Sequence, residues 1–220
     1  MNTDIQINVM HAHKGTRCRP GNAMTPESIT IHNTANRART AGAINHAFYL
    51  NGSGSDKSVS WHYVVDDTKI VECIPPNEHA WHAGDGAYGK GNRTSIAIEI
   101  CENGNSDQLR EATLLACKLT GYLLNKYNLT TVHQHNYWSG KNCPNRIRAG
   151  EPFSWVEFLR ITELYRKLFD GEEVQEDEVP EPPPQNRLSQ FTGVASIGDM
   201  SKISKLCSSM SIPLDIKPVE

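Results

Sequence analysis

The sequence predicts an α/β domain, with a central β-sheet flanked by helices, followed by a small C-terminal βαβ appendage. Three observations carry this expectation. Short runs such as Ser28-Ile-Thr-Ile-His32 alternate apolar and polar residues with the period of a half-buried strand. Two longer stretches, near 107–127 and 154–169, repeat apolar residues at helical spacing. Beyond residue 169 the charge changes sign: residues 1–169 hold 18 Lys/Arg against 15 Asp/Glu, a balance of +3, and residues 170–220 hold 4 against 10, a balance of −6. Such an asymmetry marks a boundary.

In chain order, a polar, arginine-containing lead-in ends at Pro26, and the first strand, 28–32, carries His32 at its C-terminal end. TAGAINHAFYL (40–50) predicts a short helix behind a Thr40 cap, stopped by NGSGS. SWHYVV (60–65) and KIVECI (69–74) read as a hairpin around Asp66-Asp67-Thr68. Residues 75–92, rich in Gly, His and Trp, form a loop longer than connection requires and are expected to border a site. SIAIEIC (95–101) reads as a nearly continuous apolar strand interrupted by Glu99, whose carboxylate is costly there unless it is paired or faces a cavity. Leu109, Ala112, Leu115, Ala116, Leu119, Tyr122 and Leu123 share one face of the 107–127 helix, with Ser106 as its cap. Ser154-Trp-Val-Glu157 is a capping box for the last helix. Residues 170–190 have the acidic, Pro-rich composition of a linker, and 191–220 read as strand, helix and strand, too short to fold alone without a partner.

A balance of +3 over 169 residues is far from a nucleic-acid footprint. No stretch approaches the about 20 apolar residues of a membrane span, and MNTDIQINVMHAHKG lacks a signal peptide's charged start and apolar run, so a soluble chain made in the cytoplasm is expected. The six cysteines follow no framework spacing and are expected to be reduced.

The chemistry concentrates in VHQHNYWSGKNCP (132–144), where His135 and Cys143 lie eight residues apart with a turn between them. An imidazole and a thiolate suit zinc, and His32 is the best-placed third ligand for a site with one open position. His133 offers a fourth ligand, which would close the site and make it structural.

ITIHNTAN, SWHYVVDD, WHAGDG, GNRTSIAIEIC and HNYWSGKNCP, in this order, resemble the type 2 amidase family of zinc-dependent N-acetylmuramoyl-L-alanine amidases, which also includes the peptidoglycan recognition proteins. The resemblance covers about residues 29–169. It implies a central mixed β-sheet flanked by helices and one catalytic Zn2+ held by His32, His135 and Cys143. It further implies Glu99 as proton carrier, Lys141 as oxyanion stabiliser, and cleavage of the amide between N-acetylmuramic acid and the L-alanine of the stem peptide in bacterial peptidoglycan. Trp61 stands where some relatives carry a catalytic tyrosine; lacking a hydroxyl, it is expected to shape the groove, with Trp81, His82 and Asn92 as further substrate-binding residues. His133 falls where the family places no ligand. The sequence departs from the pattern at Tyr137, where many relatives have Asp, and at Asn145, where Gly is usual.

The alternative is a non-catalytic peptidoglycan-binding module with a structural zinc. A phage endolysin or bacterial autolysin would reach the wall after holin action or cell lysis. The 1–169 body is then the catalytic domain, 170–190 the linker, and 191–220 a wall-targeting or self-association module through which the chain would form homo-oligomers.

Overall fold

The computed structural model describes residues 3–175. The strands are β1 (Ile7–Val9), β2 (Ser28–Asn33), β3 (Tyr63–Val65), β4 (Ile70–Glu72), β5 (Ser95–Ile100) and β6 (Val132–Gln134), joined in one sheet in the order β1-β4-β3-β5-β2-β6. The β3–β4 hairpin is antiparallel and the other four pairings are parallel, so the sheet is mixed, as expected. The helices are α1 (Ala43–Asn51), α2 (Lys90–Thr94), α3 (Ser106–Lys126), α4 (His135–Ser139), α5 (Asn145–Arg148) and α6 (Trp155–Phe169).

Strand alternation gives the sheet two different faces. Ile29 and Ile31 of β2 and Ile96, Ile98 and Ile100 of β5 are fully buried in one core with Leu119 and Leu123 of α3 and Phe158 and Ile161 of α6. On the other face Val64, Val71 and Ala97 pack with Ala43, Ala47 and Leu50 of α1 in a smaller core. By the two-residue period of a strand, Thr30, His32 and Glu99 belong to this second face. What reads in sequence as an interrupted apolar run is thus a strand with an apolar side and a functional side. α3 and α6 approach closely at Gly121, where a Cβ would lie 2.7 Å from the Arg166 amide nitrogen.

The helix starts differ from expectation, because caps are chosen by non-local partners. α1 begins at Ala43 behind Gly42, which offers no side-chain cap; Asp66, from the β3–β4 turn, accepts the Ala43 N–H at 2.9 Å instead. The other oxygen of Asp66 accepts the amides of Thr68 and Lys69, so one carboxylate holds both the hairpin and the helix. α3 is capped by Asn105, not Ser106, in a reciprocal box with Gln108. Ser154 caps α6 as expected, while the Glu157 carboxylate turns to Arg160. The lead-in contributes β1, which a three-residue strand does not announce, and Arg19, whose guanidinium bonds Glu78 through two nitrogens and the Ala12 carbonyl through a third. Cys18, Cys73, Cys101, Cys117 and Cys143 are all free and buried. The expected linker beyond residue 175 and the 191–220 module lie outside the described residues. Among the described residues no helix is long and apolar enough to cross a membrane.

Candidate metal centre and groove

Register brings the site together at the carboxyl ends of the parallel strands, where open α/β sheets place their ligands. His32 and Glu99 are direct partners across β2 and β5. β6 pairs with β2 through Thr30↔His133 and Ile31↔Gln134, and His135 follows at the strand's end, level with His32. Trp138 anchors α4 to the sheet by donating from its indole nitrogen to Thr30 Oγ1 at 2.9 Å.

Cys143 is returned to the start of α4 by a clamp. Gly140, with φ of 75°, ends the helix in the left-handed conformation. Asn136 then donates from its side-chain amide to the carbonyls of Gly140 and Lys141, and from its backbone N–H to the Cys143 carbonyl. Asn136 was not singled out by sequence reasoning; an Asn opening a tight return is the signal that could have found it.

His32, His135 and Cys143 are all buried and offer ligand atoms within 4.8 Å of one another. His32 Nδ1 lies 3.0 Å from His135 Nδ1 and 3.8 Å from Cys143 Sγ. A tetrahedral zinc with Zn–N of about 2.05 Å and Zn–S of about 2.3 Å requires spacings of about 3.3 Å and about 3.6 Å, so the donor set fits that ion. His133 is outside this group: its ring stacks on Tyr137 at 4.1 Å, and the closed four-ligand site is not formed from it.

Tyr137, which stands where many relatives have Asp, is exposed and stacks its ring on His133. Burial holds His32 well below the ordinary histidine value, helped by His82, His135 and Lys141, and burial and Lys141 push His135 down to about 4. Both imidazoles are therefore neutral and ready to ligate at pH 7. Burial raises the Cys143 thiol to about 12, so metal binding there must release its proton.

Glu99 Oε1 lies 4.0 Å from His32 Nδ1, and its Oε2 is buried without a hydrogen-bond partner. Pairing with Arg93 does not occur: that guanidinium bonds the Ala87 carbonyl and lies over the Tyr88 ring. Burial raises the Glu99 carboxyl to about 7, against the opposing charge of Lys141. A carboxyl poised near neutrality in a groove suits proton transfer.

The groove, of about 840 Å³, is lined by the three ligand residues, by Glu99 and Lys141, and by Trp61, Trp81, His82 and Asn92. Two of these four residues, His82 and Asn92, spend their polar atoms within the protein. His82 Nδ1 faces His32 Nε2 at 3.1 Å and His82 Nε2 faces the Ser95 carbonyl at 3.2 Å, so no ring nitrogen is left for a substrate. Asn92 accepts the amides of His82 and Ala83 and donates to the Gly86 carbonyl, so its polar atoms are spent on the loop. Trp61 is 6% exposed, edge-on to His46 and stacked on Tyr49, and acts as a wall. Trp81 is more open, fixed by its indole N–H to the Arg17 carbonyl.

The sequence profile of the N-acetylmuramoyl-L-alanine amidase family matches residues 22–146. N-acetylmuramoyl-L-alanine amidase XlyA of Bacillus subtilis (strain 168) is 51% identical over 135 residues, covering 60% of this chain and 44% of the relative. Amidase CwlH of the same strain is 47% identical over 143 residues, covering 64% and 54%. The chain thus spans about half the length of these relatives. The solved catalytic domain of XlyA superposes with a TM-score of 0.64 at 44% identity, covering 70% of this chain and 97% of that one.

Proposed function

The chain belongs to the N-acetylmuramoyl-L-alanine amidase family, and from that premise we propose that it hydrolyses the amide between N-acetylmuramic acid and the L-alanine of the peptidoglycan stem peptide. The observation that carries the proposal is a buried Glu99 oxygen without a partner, beside His32 in a groove that also holds His135, Cys143 and Lys141. A purely structural carboxylate in such a place would be paired or absent, since burying it alone costs free energy.

In this reading His32, His135 and Cys143 hold one zinc ion, which supplies Lewis-acid activation of water and of the amide carbonyl. Glu99 takes a proton from the attacking water and returns it to the departing alanine nitrogen. Lys141 sets its charge against the carbonyl oxygen as that oxygen becomes negative, a role for which loss of one donor costs about a hundredfold or more. Trp61 and Trp81 wall the groove around the sugar and the start of the peptide.

The test is to incubate purified cell wall with the protein and with its Glu99→Ala variant. New alanine amino termini without new reducing sugars, lost in the variant, are expected. Zinc-loaded protein that binds wall and releases neither would overturn the proposal in favour of a binding module, and new reducing ends would point to a glycosidase.

A further inference from the structure

The ring contacts behind His32 determine which of its nitrogens can reach a metal, an inference that rests on the ligand set just proposed. A neutral imidazole carries one N–H and one lone pair, and the partner of one nitrogen decides the state of the other. The Ser95 carbonyl can only accept, and it lies 3.2 Å from His82 Nε2, so the His82 proton sits on Nε2. His82 Nδ1 then carries a lone pair and lies 3.1 Å from His32 Nε2, which must donate. The proton of His32 is thereby drawn to Nε2, and its lone pair is left on Nδ1, the atom that faces His135 Nδ1 and Cys143 Sγ.

His135 Nδ1 lies 3.0 Å from His32 Nδ1, within hydrogen-bond reach. Without the His82 acceptor, His32 could hold its proton on Nδ1 and donate it to His135, and that proton would have to leave before a metal could bind there. The segment is itself held in place: Asn92 Oδ1 accepts the amides of His82 and Ala83, each at 2.8 Å.

We propose that His82, pinned by Asn92 and the Ser95 carbonyl, is a positioning residue that sets His32 in the tautomer with Nδ1 free for zinc. Both its ring nitrogens face protein partners, so it acts through His32. Outer partners of this kind change metal affinity by about 10- to 100-fold when removed.

The proposal is tested on the full chain without wall substrate. In the metal-free wild type, long-range ¹H–¹⁵N spectra of the histidine rings are expected to show His32 protonated on Nε2 and bare on Nδ1; protonation on Nδ1 would overturn the proposal, and this readout needs no variant to fold. Zinc affinity is then measured by competition with a chromophoric chelator. His82→Leu is expected to weaken it by about 10- to 100-fold, and His82→Asn, whose amide oxygen takes the place of Nδ1, to recover part of the loss. A folded His82→Leu protein that binds zinc as tightly as wild type would also overturn the proposal. A chain that passes both tests and yet releases no alanine termini from wall would count against the amidase reading alone.

Discussion

Replacing Glu99 by Gln is expected to raise the stability of the metal-free protein at alkaline pH while removing activity. Burial raises the Glu99 carboxyl from its ordinary 4.5 to about 7, and each pH unit corresponds to about 1.4 kcal/mol, so the ionised side chain costs the fold about 3 kcal/mol above pH 7. The side chain is only 16% exposed, so little of this is screened by solvent. Because the folded value lies above the unfolded one, the folded protein keeps its proton to higher pH. Stability therefore falls as pH rises from 4.5 to about 7 and levels off beyond. Glutamine cannot ionise, so its variant lacks this slope. Between pH 5 and pH 8 the wild type should lose about 2–3 kcal/mol relative to the variant. At pH 8 the net gain of the variant is smaller, about 0–2 kcal/mol, because a buried amide without partners costs about 1–3 kcal/mol. Urea unfolding of both proteins at pH 5 and pH 8, with a chelator present, measures the difference. Release of alanine termini from wall by the zinc-loaded variant should fall by about 10²- to 10⁴-fold. Parallel stability curves, or a variant of undiminished activity, would refute the reasoning.

Other consequences are equally open to measurement. Lys141→Ala should lower turnover by about 10²- to 10³-fold while wall binding changes little; unchanged turnover would remove Lys141 from the oxyanion role. His133→Ala should leave one zinc per chain by elemental analysis and activity within about twofold, and loss of the metal would make His133 a ligand after all. Arg19→Ala leaves the Glu78 carboxylate with only the Lys14 ammonium, at 3.5 Å, and should cost about 1–3 kcal/mol in denaturant unfolding at pH 7. Arg19 holds Glu78 below the ordinary carboxylate range, so that stabilisation is present above the range and is lost as pH falls through the depressed value; in the variant this acid-side loss should shrink, and a full acid-side loss would contradict it. The proposal that residues 191–220 serve wall targeting or self-association predicts that deleting 171–220 weakens wall binding or lowers the mass in solution, and no change in either would dismiss it.

The strand β2 was legible from its alternation of apolar and polar residues and β5 from its nearly continuous apolar run, and α3 and α6 because their apolar stripe obeys the helical period. The hairpin was legible from Asp66-Asp67-Thr68, since an aspartate that bonds its own backbone makes its turn locally. The helix starts were less so. Asp66 caps α1 from 23 residues away, and no local pattern distinguishes that from a Thr40 cap. The unpaired state of Glu99 was visible only as a question, because Arg93 was an equally near partner along the chain and turned elsewhere in space.

For the site, His32, His135 and Cys143 were singled out from residue type and spacing, and the roles of Glu99 and Lys141 came from the resemblance to the amidase family; the fold brings these five residues into one groove. What surrounds them was decided by tertiary structure. His82 and Asn92 read as groove residues from their place in a long loop; both line the groove, and the fold gives the polar atoms of one to His32 and of the other to the loop. The physical reason is that hydrogen bonds to a ring nitrogen are made by whichever acceptor the sheet register brings within about 3 Å. Here that acceptor is the Ser95 carbonyl, and a backbone carbonyl leaves no mark in a sequence.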